Sequence, residues 1–272
     1  MVYLKDYYGI KQIDLKNKIE IYNNKISYIY MQIQYISDLH LEFYDDILKI
    51  PIIPSAPILC LLGDIGFPDS INYDIILNWC SKNYKKVFII TGNHEYYSNK
   101  FTIEEINNII TEKVKNYNNI SFLNNMVEKY ENYTFIGTTL WSYIPEYIKN
   151  YELNVYNDFK KIKGMSRQKY NELFLKNLHF LTNEIKNNNN IICLTHHLPC
   201  VELVHQKYKD YPNFMFANNL NNLIKDNIKL WLCGHSHTPN TKIINNVICS
   251  LNPFGYPNEN KDESCLKKTI EI

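Results

Sequence analysis

The chain has 272 residues, 45% of them hydrophobic, and sets 29 Lys and Arg against 28 Asp and Glu for a net charge of +1. That length can make one α/β domain with a sizeable core, and the near-neutral balance gives no global field for nucleic acid or an anionic membrane. No run approaches the ~20 apolar residues of a membrane span, and Met1-Val2-Tyr3-Leu4-Lys5-Asp6 lacks the basic-then-apolar pattern of a secretory signal.

Residues 1–30 contain apolar side chains but no ligand-type motif, and read as an N-terminal extension to a domain spanning 31–272. Met31-Gln32-Ile33-Gln34-Tyr35-Ile36 alternates as a strand does. Further strands are expected at 57–62, 87–91, 120–123, 133–139, 190–195, 229–233, 242–244, 246–251 and 266–272. Ile58-Leu59-Cys60-Leu61-Leu62 and Val87-Phe88-Ile89-Ile90 are continuously apolar, as strands covered on both faces are. Helical spacing fits 71–84, 101–117, 166–188 and 217–227, with Ser166 placed to cap the third. Strands alternating with helices, followed by a strand-rich end, predict a two-sheet α/β sandwich. The stretches 141–165 and 198–216 lack clear elements and are rich in Tyr: Tyr143, Tyr147, Tyr151, Tyr156, Tyr208 and Tyr211. Both follow strands, where open α/β proteins bind ligands, so they are expected to wall a pocket.

Seven cysteines are too many for pairs alone, form no C-x-x-C, and include Cys60, Cys193, Cys233 and Cys249 inside apolar runs. Buried free thiols of this kind point to a reducing intracellular compartment.

Five apolar runs end in metal-ligand residues: Ser37-Asp38-Leu39-His40, Gly63-Asp64, Gly92-Asn93-His94-Glu95, Thr195-His196-His197 and Gly234-His235-Ser236-His237. Five distant points converge only if the fold gathers the strand ends. Asp, Asn and His without Cys suit hard or borderline divalent ions rather than a structural zinc knot. Asp38 with His40, and His235 with His237, are two residues apart and would face the same way from extended strand ends. Asp64 follows five apolar residues, and a charge so placed needs a partner. His196 and His197 diverge, so one of them is expected to ligate. His196 is favoured as the first residue past its strand; His197, which precedes Leu198-Pro199, is the alternative.

This ordered set resembles the calcineurin-like metallophosphoesterases over about residues 31–256. The segments Asp38-Leu39-His40-Leu41-Glu42-Phe43 and Asn252-Pro253-Phe254-Gly255-Tyr256 are similar to those of a compact, mostly bacterial-type subgroup of unassigned substrate. The resemblance implies that family's two-sheet α/β sandwich and two divalent ions, with manganese favoured over iron or zinc. It implies metal ligands Asp38, His40, Asp64, Asn93, His196, His235 and His237, with Asp64 bridging, and His94 acting on the leaving oxygen. The implied activity is hydrolysis of phosphomonoesters or small phosphodiesters by a hydroxide shared between the ions. Alternatives are a metal-dependent nuclease and a catalytically weak scaffold of the same fold; nucleic acid is not the favoured partner. Protein phosphatases of the family support the catalytic histidine with an Asp three residues past the bridging Asp. Phe67 stands there in this chain, which leaves the partner of His94 open.

Overall fold

A computed structural model describes residues 30–44, 52–208, 213–259 and 263–272, so most of the expected extension at 1–30 lies outside the described residues. The chain divides into two compact units, Met1–Met31 with Glu271–Ile272, and Gln32–Ile270. In the first, Met31 and Ile272 exchange two backbone hydrogen bonds of 3.0 and 3.1 Å. The second carries the two layers.

One sheet is built on β1 (Gln32–Ile36), β2 (Ile58–Leu62), β3 (Lys86–Ile90) and β4 (Ile120–Phe122), which run parallel in that order. The other has β5 (Met126–Tyr130), β6 (Tyr133–Thr138), β7 (Ile191–Thr195), β8 (Ile228–Cys233), β9 (Asn240–Ile244) and β10 (Val247–Leu251), in the order β5-β6-β7-β8-β10-β9. Its four inner strands are parallel, and both edge strands pair antiparallel with their neighbours. A short β11 (Thr269–Glu271) lies at the β1 edge of the first sheet. The central strands β2, β3 and β7 are buried at every position, which is why their sequences are apolar apart from Lys86 and Thr195 at their ends. The sheets pack face to face through them, with Phe88 of β3 stacked on Phe135 of β6 at 4.0 Å between ring centroids.

Helices α1 (Ile71–Asn83) and α2 (Ile103–Val114) pack Tyr73, Ile76, Leu77, Ile106 and Ile110 into the first core. Ser70 caps the first, and Thr102 with Glu105 closes a capping box on the second. After α3 (Asn150–Leu153) and α4 (Asn157–Lys161), the long α5 (Arg167–Asn187) begins at the Ser166 cap. It contributes Tyr170 and Phe174 to one apolar cluster and Leu181 and Ile185 to the other.

Two expectations are corrected. The helix expected at 217–227 is a single 3-10 turn, Asn221–Leu223. Asn218 and Leu220 give their N–H groups to Leu198 and Pro199 carbonyls, so tertiary partners take the bonds a helix would need. Its five asparagines also favour local side-chain bonding over helix. Strand β5 was not expected, because a half-exposed edge strand shows little apolar alternation. All seven cysteines are free and buried, and among the described residues no helix is long and apolar enough to cross a membrane.

Candidate metal centre

The carboxyl ends of β1, β2, β3, β7 and β8 meet at one place, and the residues that follow each of them form the site. Asp38, His40, Asp64, His196 and His197 are fully or almost fully buried. The geometric reason for convergence differs from the one expected. Asp38 and His40 are not on an extended strand end; their φ values are 56° and 49°, and Asp64, His235 and His237 are also left-handed at 54°, 72° and 25°. Tight reversals just past the strands, rather than a pleat, turn these side chains together.

Two ligand-like clusters share Asp64. In one, His40 Nε2 lies 3.0 Å from His237 Nε2, and His237 Nε2 is 3.4 Å from Asp38 Oδ1. In the other, His196 Nε2 lies 3.1 Å from His235 Nδ1 and 3.2 Å from Asn93 Oδ1. Asp64 Oδ2 reaches both, 3.9 Å from His40 Nε2 and 3.4 Å from His196 Nε2.

Each imidazole has its other nitrogen engaged. His196 Nδ1 meets the Leu62 carbonyl at 2.8 Å, His235 Nε2 the Met215 carbonyl at 3.0 Å, His237 Nδ1 Glu259 at 2.8 Å and His40 Nδ1 Glu42 at 3.0 Å. Donating those outer N–H groups leaves the inward nitrogens as lone pairs. Two basic nitrogens 3.0 Å apart repel unless one is protonated or both face a cation. Asp38 Oδ1 is buried without a hydrogen-bond partner, and the ion-pair partners of Asp38 and Asp64 among the described residues are all histidines. This donor set fits divalent ions held by N and O ligands.

Charges follow the same logic. Burial alone would raise the Asp64 carboxyl, but His196, His94 and His40 outweigh it and hold it well below its usual range. Burial would lower His196, yet Asp64 drives it up to about 10. Burial is likewise overcome at His237, which Asp38 and Glu259 raise to about 9. His235 goes the other way, to about 3, through burial and its protonated neighbour His196.

The adjacent histidines separate cleanly. His197 Nε2 points to the Tyr170 hydroxyl at 3.3 Å, and its Nδ1 is buried with no partner. Burial and the neighbouring His235 and His196 push it well below its ordinary value. The structure thus brings His196, and not His197, to Asp64.

His94 lies beside the clusters. Its backbone N–H donates to Asp64 Oδ1 at 2.8 Å, and its ring stacks on Tyr97 at 4.2 Å between centroids. Its Nδ1 is 2.8 Å from Glu42 Oε1, and the Tyr256 hydroxyl is 3.3 Å from its Nε2. Phe67 makes no such contact, and the carboxylate against the His94 ring comes from Glu42 on a different element. Glu95 braces the turn, accepting from the Asp64, Ile65 and Gly92 N–H groups at 3.0, 2.8 and 2.7 Å. The buried Asp158 accepts from Asn93 Nδ2 at 2.8 Å and the Tyr97 hydroxyl at 2.7 Å, which turns the Asn93 oxygen toward His196. Glu42 and Tyr256 sat within the segments that carried the resemblance; Asp158 and Glu259 had no signal in the sequence. A cavity of about 280 Å³ opens from the clusters. Of the six tyrosines expected in its walls, Tyr156 and Tyr208 line it. Tyr147 and Tyr151 are more than two-thirds exposed, Tyr143 does not line it, and Tyr211 lies outside the described residues.

Residues 31–239 match the family model described as Calcineurin-like phosphoesterase. The chain belongs to that family. It is a metallophosphoesterase, and the family implies divalent metal ions and metal-dependent hydrolysis of phosphate esters. It is 31% identical over 259 residues to Uncharacterized protein L509 of Acanthamoeba polyphaga mimivirus, covering 84% of this chain and 92% of that one. Its fold is similar to the solved phosphopantetheinyl hydrolase (PptH) of Mycobacterium tuberculosis, with a TM-score of 0.62, 17% identity and coverage of 84% and 90%.

Proposed function

We propose that this metallophosphoesterase uses a dinuclear centre to hydrolyse phosphomonoesters or small phosphodiesters. Asp38, His40, Asp64 and His237 would hold one ion, and Asp64, Asn93, His196 and His235 the other. The observation that carries this reading is the set of four imidazoles whose outer nitrogens are fixed to carbonyls or carboxylates, leaving the inner ones facing Asp38 and Asp64. When bound, divalent ions supply Lewis acidity to the phosphoryl group and activate water at neutral pH. Manganese is the favoured metal and iron or zinc the alternatives, since mixed N and O ligands do not select one sharply.

The protein's own residues supply the rest. His94, held by Glu42 and Tyr97, faces the cavity and donates a proton or hydrogen bond to the departing oxygen. Burial would lower its pKa, but Asp64 and Glu42 raise it, the direction that favours the protonated ring. Asp158 fixes the Asn93 amide so that its oxygen, not its nitrogen, is presented. The nuclease alternative asks for a Lys or Arg surface along the substrate, and among the described residues none lines the cavity.

Elemental analysis with manganese titration, followed by turnover of bis-p-nitrophenyl phosphate and p-nitrophenyl phosphate, tests this reading. Two equivalents of metal and metal-dependent release of nitrophenol are expected. Saturation at one equivalent, or no turnover by fully loaded protein, refutes it.

A further inference from the structure

The walls of the cavity restrict the substrate more narrowly than the ligand clusters do. Beyond the imidazoles and carboxyls of the site, it is lined by Tyr97, Tyr156, Tyr208, Met215, Phe216 and Tyr256. Several of these rings pack on site imidazoles: Tyr97 on His94 at 4.2 Å, Phe216 on His235 at 5.3 Å, and Tyr256 on His237 at 4.4 Å between centroids. A phosphoryl group placed at the clusters therefore has aromatic faces around the rest of its ester.

Charge sharpens the constraint. Among the described lining residues there is no Lys or Arg, while Asp158 and Glu259 are both present. Lys161 lies over the Tyr97 ring at 5.3 Å but is not part of the lining. Beyond the metal centre, a second phosphoryl group or a carboxylate on the substrate would meet no Lys or Arg among the described lining residues, and would lose hydration on entering. The volume, about 280 Å³, holds one ring system beside a phosphoryl group rather than a chain of nucleotides.

The geometry points to a substrate with a single phosphoryl group esterified to an uncharged alcohol that carries a flat aromatic ring. Polyphosphates and polynucleotides fall outside that class. This rests on the reading of the site as a phosphoester hydrolase and names the class of ester it takes. Aromatic faces bind rings in offset or edge-on contact, adding to what the buried apolar area alone contributes.

Phosphonates, whose P–C bond replaces the ester oxygen so that they bind as analogues of phosphomonoesters without being hydrolysed, separate this inference from the functional reading. With manganese-loaded full-length protein, competitive inhibition by methylphosphonate, benzylphosphonate and 4-carboxybenzylphosphonate is compared. Benzylphosphonate is expected to bind at least about tenfold tighter than methylphosphonate, as one buried ring supports. The 4-carboxy group is expected to cancel that gain. Phe216→Ala should shrink the benzyl-to-methyl ratio, and Tyr156→Ala provides the same test from the other loop should the first variant fold poorly. An enzyme that hydrolyses simple esters yet shows a benzyl-to-methyl ratio near one, or binds the carboxylated compound as well as the parent, overturns this inference alone. Loaded protein that neither binds methylphosphonate nor turns over any ester overturns the functional reading, and this inference with it.

Discussion

Glu42 Oε1 sits between two imidazoles, 3.0 Å from His40 Nδ1 and 2.8 Å from His94 Nδ1. A single carboxylate thus orients a ligand-type histidine and the proposed leaving-group histidine at once, while its second oxygen is buried without a hydrogen bond. Three further imidazoles are held by comparable outer partners, an arrangement that fixes the tautomer and aims the inner nitrogen. His94→Ala is expected to keep metal content but lose about 10²–10⁴ in turnover, the usual span for a general acid. Glu42→Gln should cost about 10–100-fold in turnover, with a larger loss for esters of poor leaving alcohols than for nitrophenyl esters. A rate series across leaving groups, run alongside metal analysis, checks both variants. Equal losses for every leaving group would show that Glu42 matters only for holding the site together.

At the scale of elements, the site is a property of strand ends. The sequence announced where those ends are, because β2, β3, β7 and β8 are mostly apolar runs, β1 alternates, and a polar ligand-type residue follows each of them. It did not announce how the chain leaves them. The pleat argument for Asp38 with His40 does not describe how they come together, since both residues are left-handed rather than extended. Asp158 was invisible for a related reason: it lies in short helix α4, within a stretch of no periodicity, and its partners Asn93 and Tyr97 are about sixty residues away. The β3 end depends on a glycine in a way that spacing alone does not reveal. A Cβ on Gly92 would stand 2.1 Å from Asp64 Oδ1 and 2.6 Å from His196 Cε1. Gly92→Ala should therefore keep the sheets but displace Asp64 or His196, lowering metal affinity by about 10–100-fold. Circular dichroism with metal titration reads this out, and wild-type affinity in the variant would disprove it.

For the whole molecule, the important fact is that the donors come from both layers. Asp38, His40, Asp64 and Asn93 follow strands of the first sheet, and His196, His235 and His237 follow strands of the second. Divalent ions held there, as proposed, would join the layers, and a ligand that binds only the folded state adds about 2.7 kcal/mol at a hundred times its Kd. Chelator treatment is expected to lower the melting temperature. The drop should be larger at pH 8 than at pH 6. His196 is raised to about 10 and His237 to about 9, so metal must displace protons from them and binds more weakly as pH falls. The same two groups stabilise the metal-free fold most below their ordinary pKa and lose that contribution as pH rises through 9 to 10, which widens the gap from the other side. Scanning calorimetry at the two pH values checks it, and an equal or smaller drop at pH 8 contradicts the assignment.

The left-handed backbone at Asp38, His40, Asp64, His235 and His237 has a consequence for descent. Such conformations cost on the order of 1–3 kcal/mol at a residue with a side chain, and far less at glycine. At His40, His235 and His237 the backbone thus favours a smaller residue, whereas Asp38 and Asp64 also accept backbone N–H groups of His235 and His94. In a lineage released from catalysis, mutation would drift these three histidines toward Gly or Asn while the apolar strands stayed as they are.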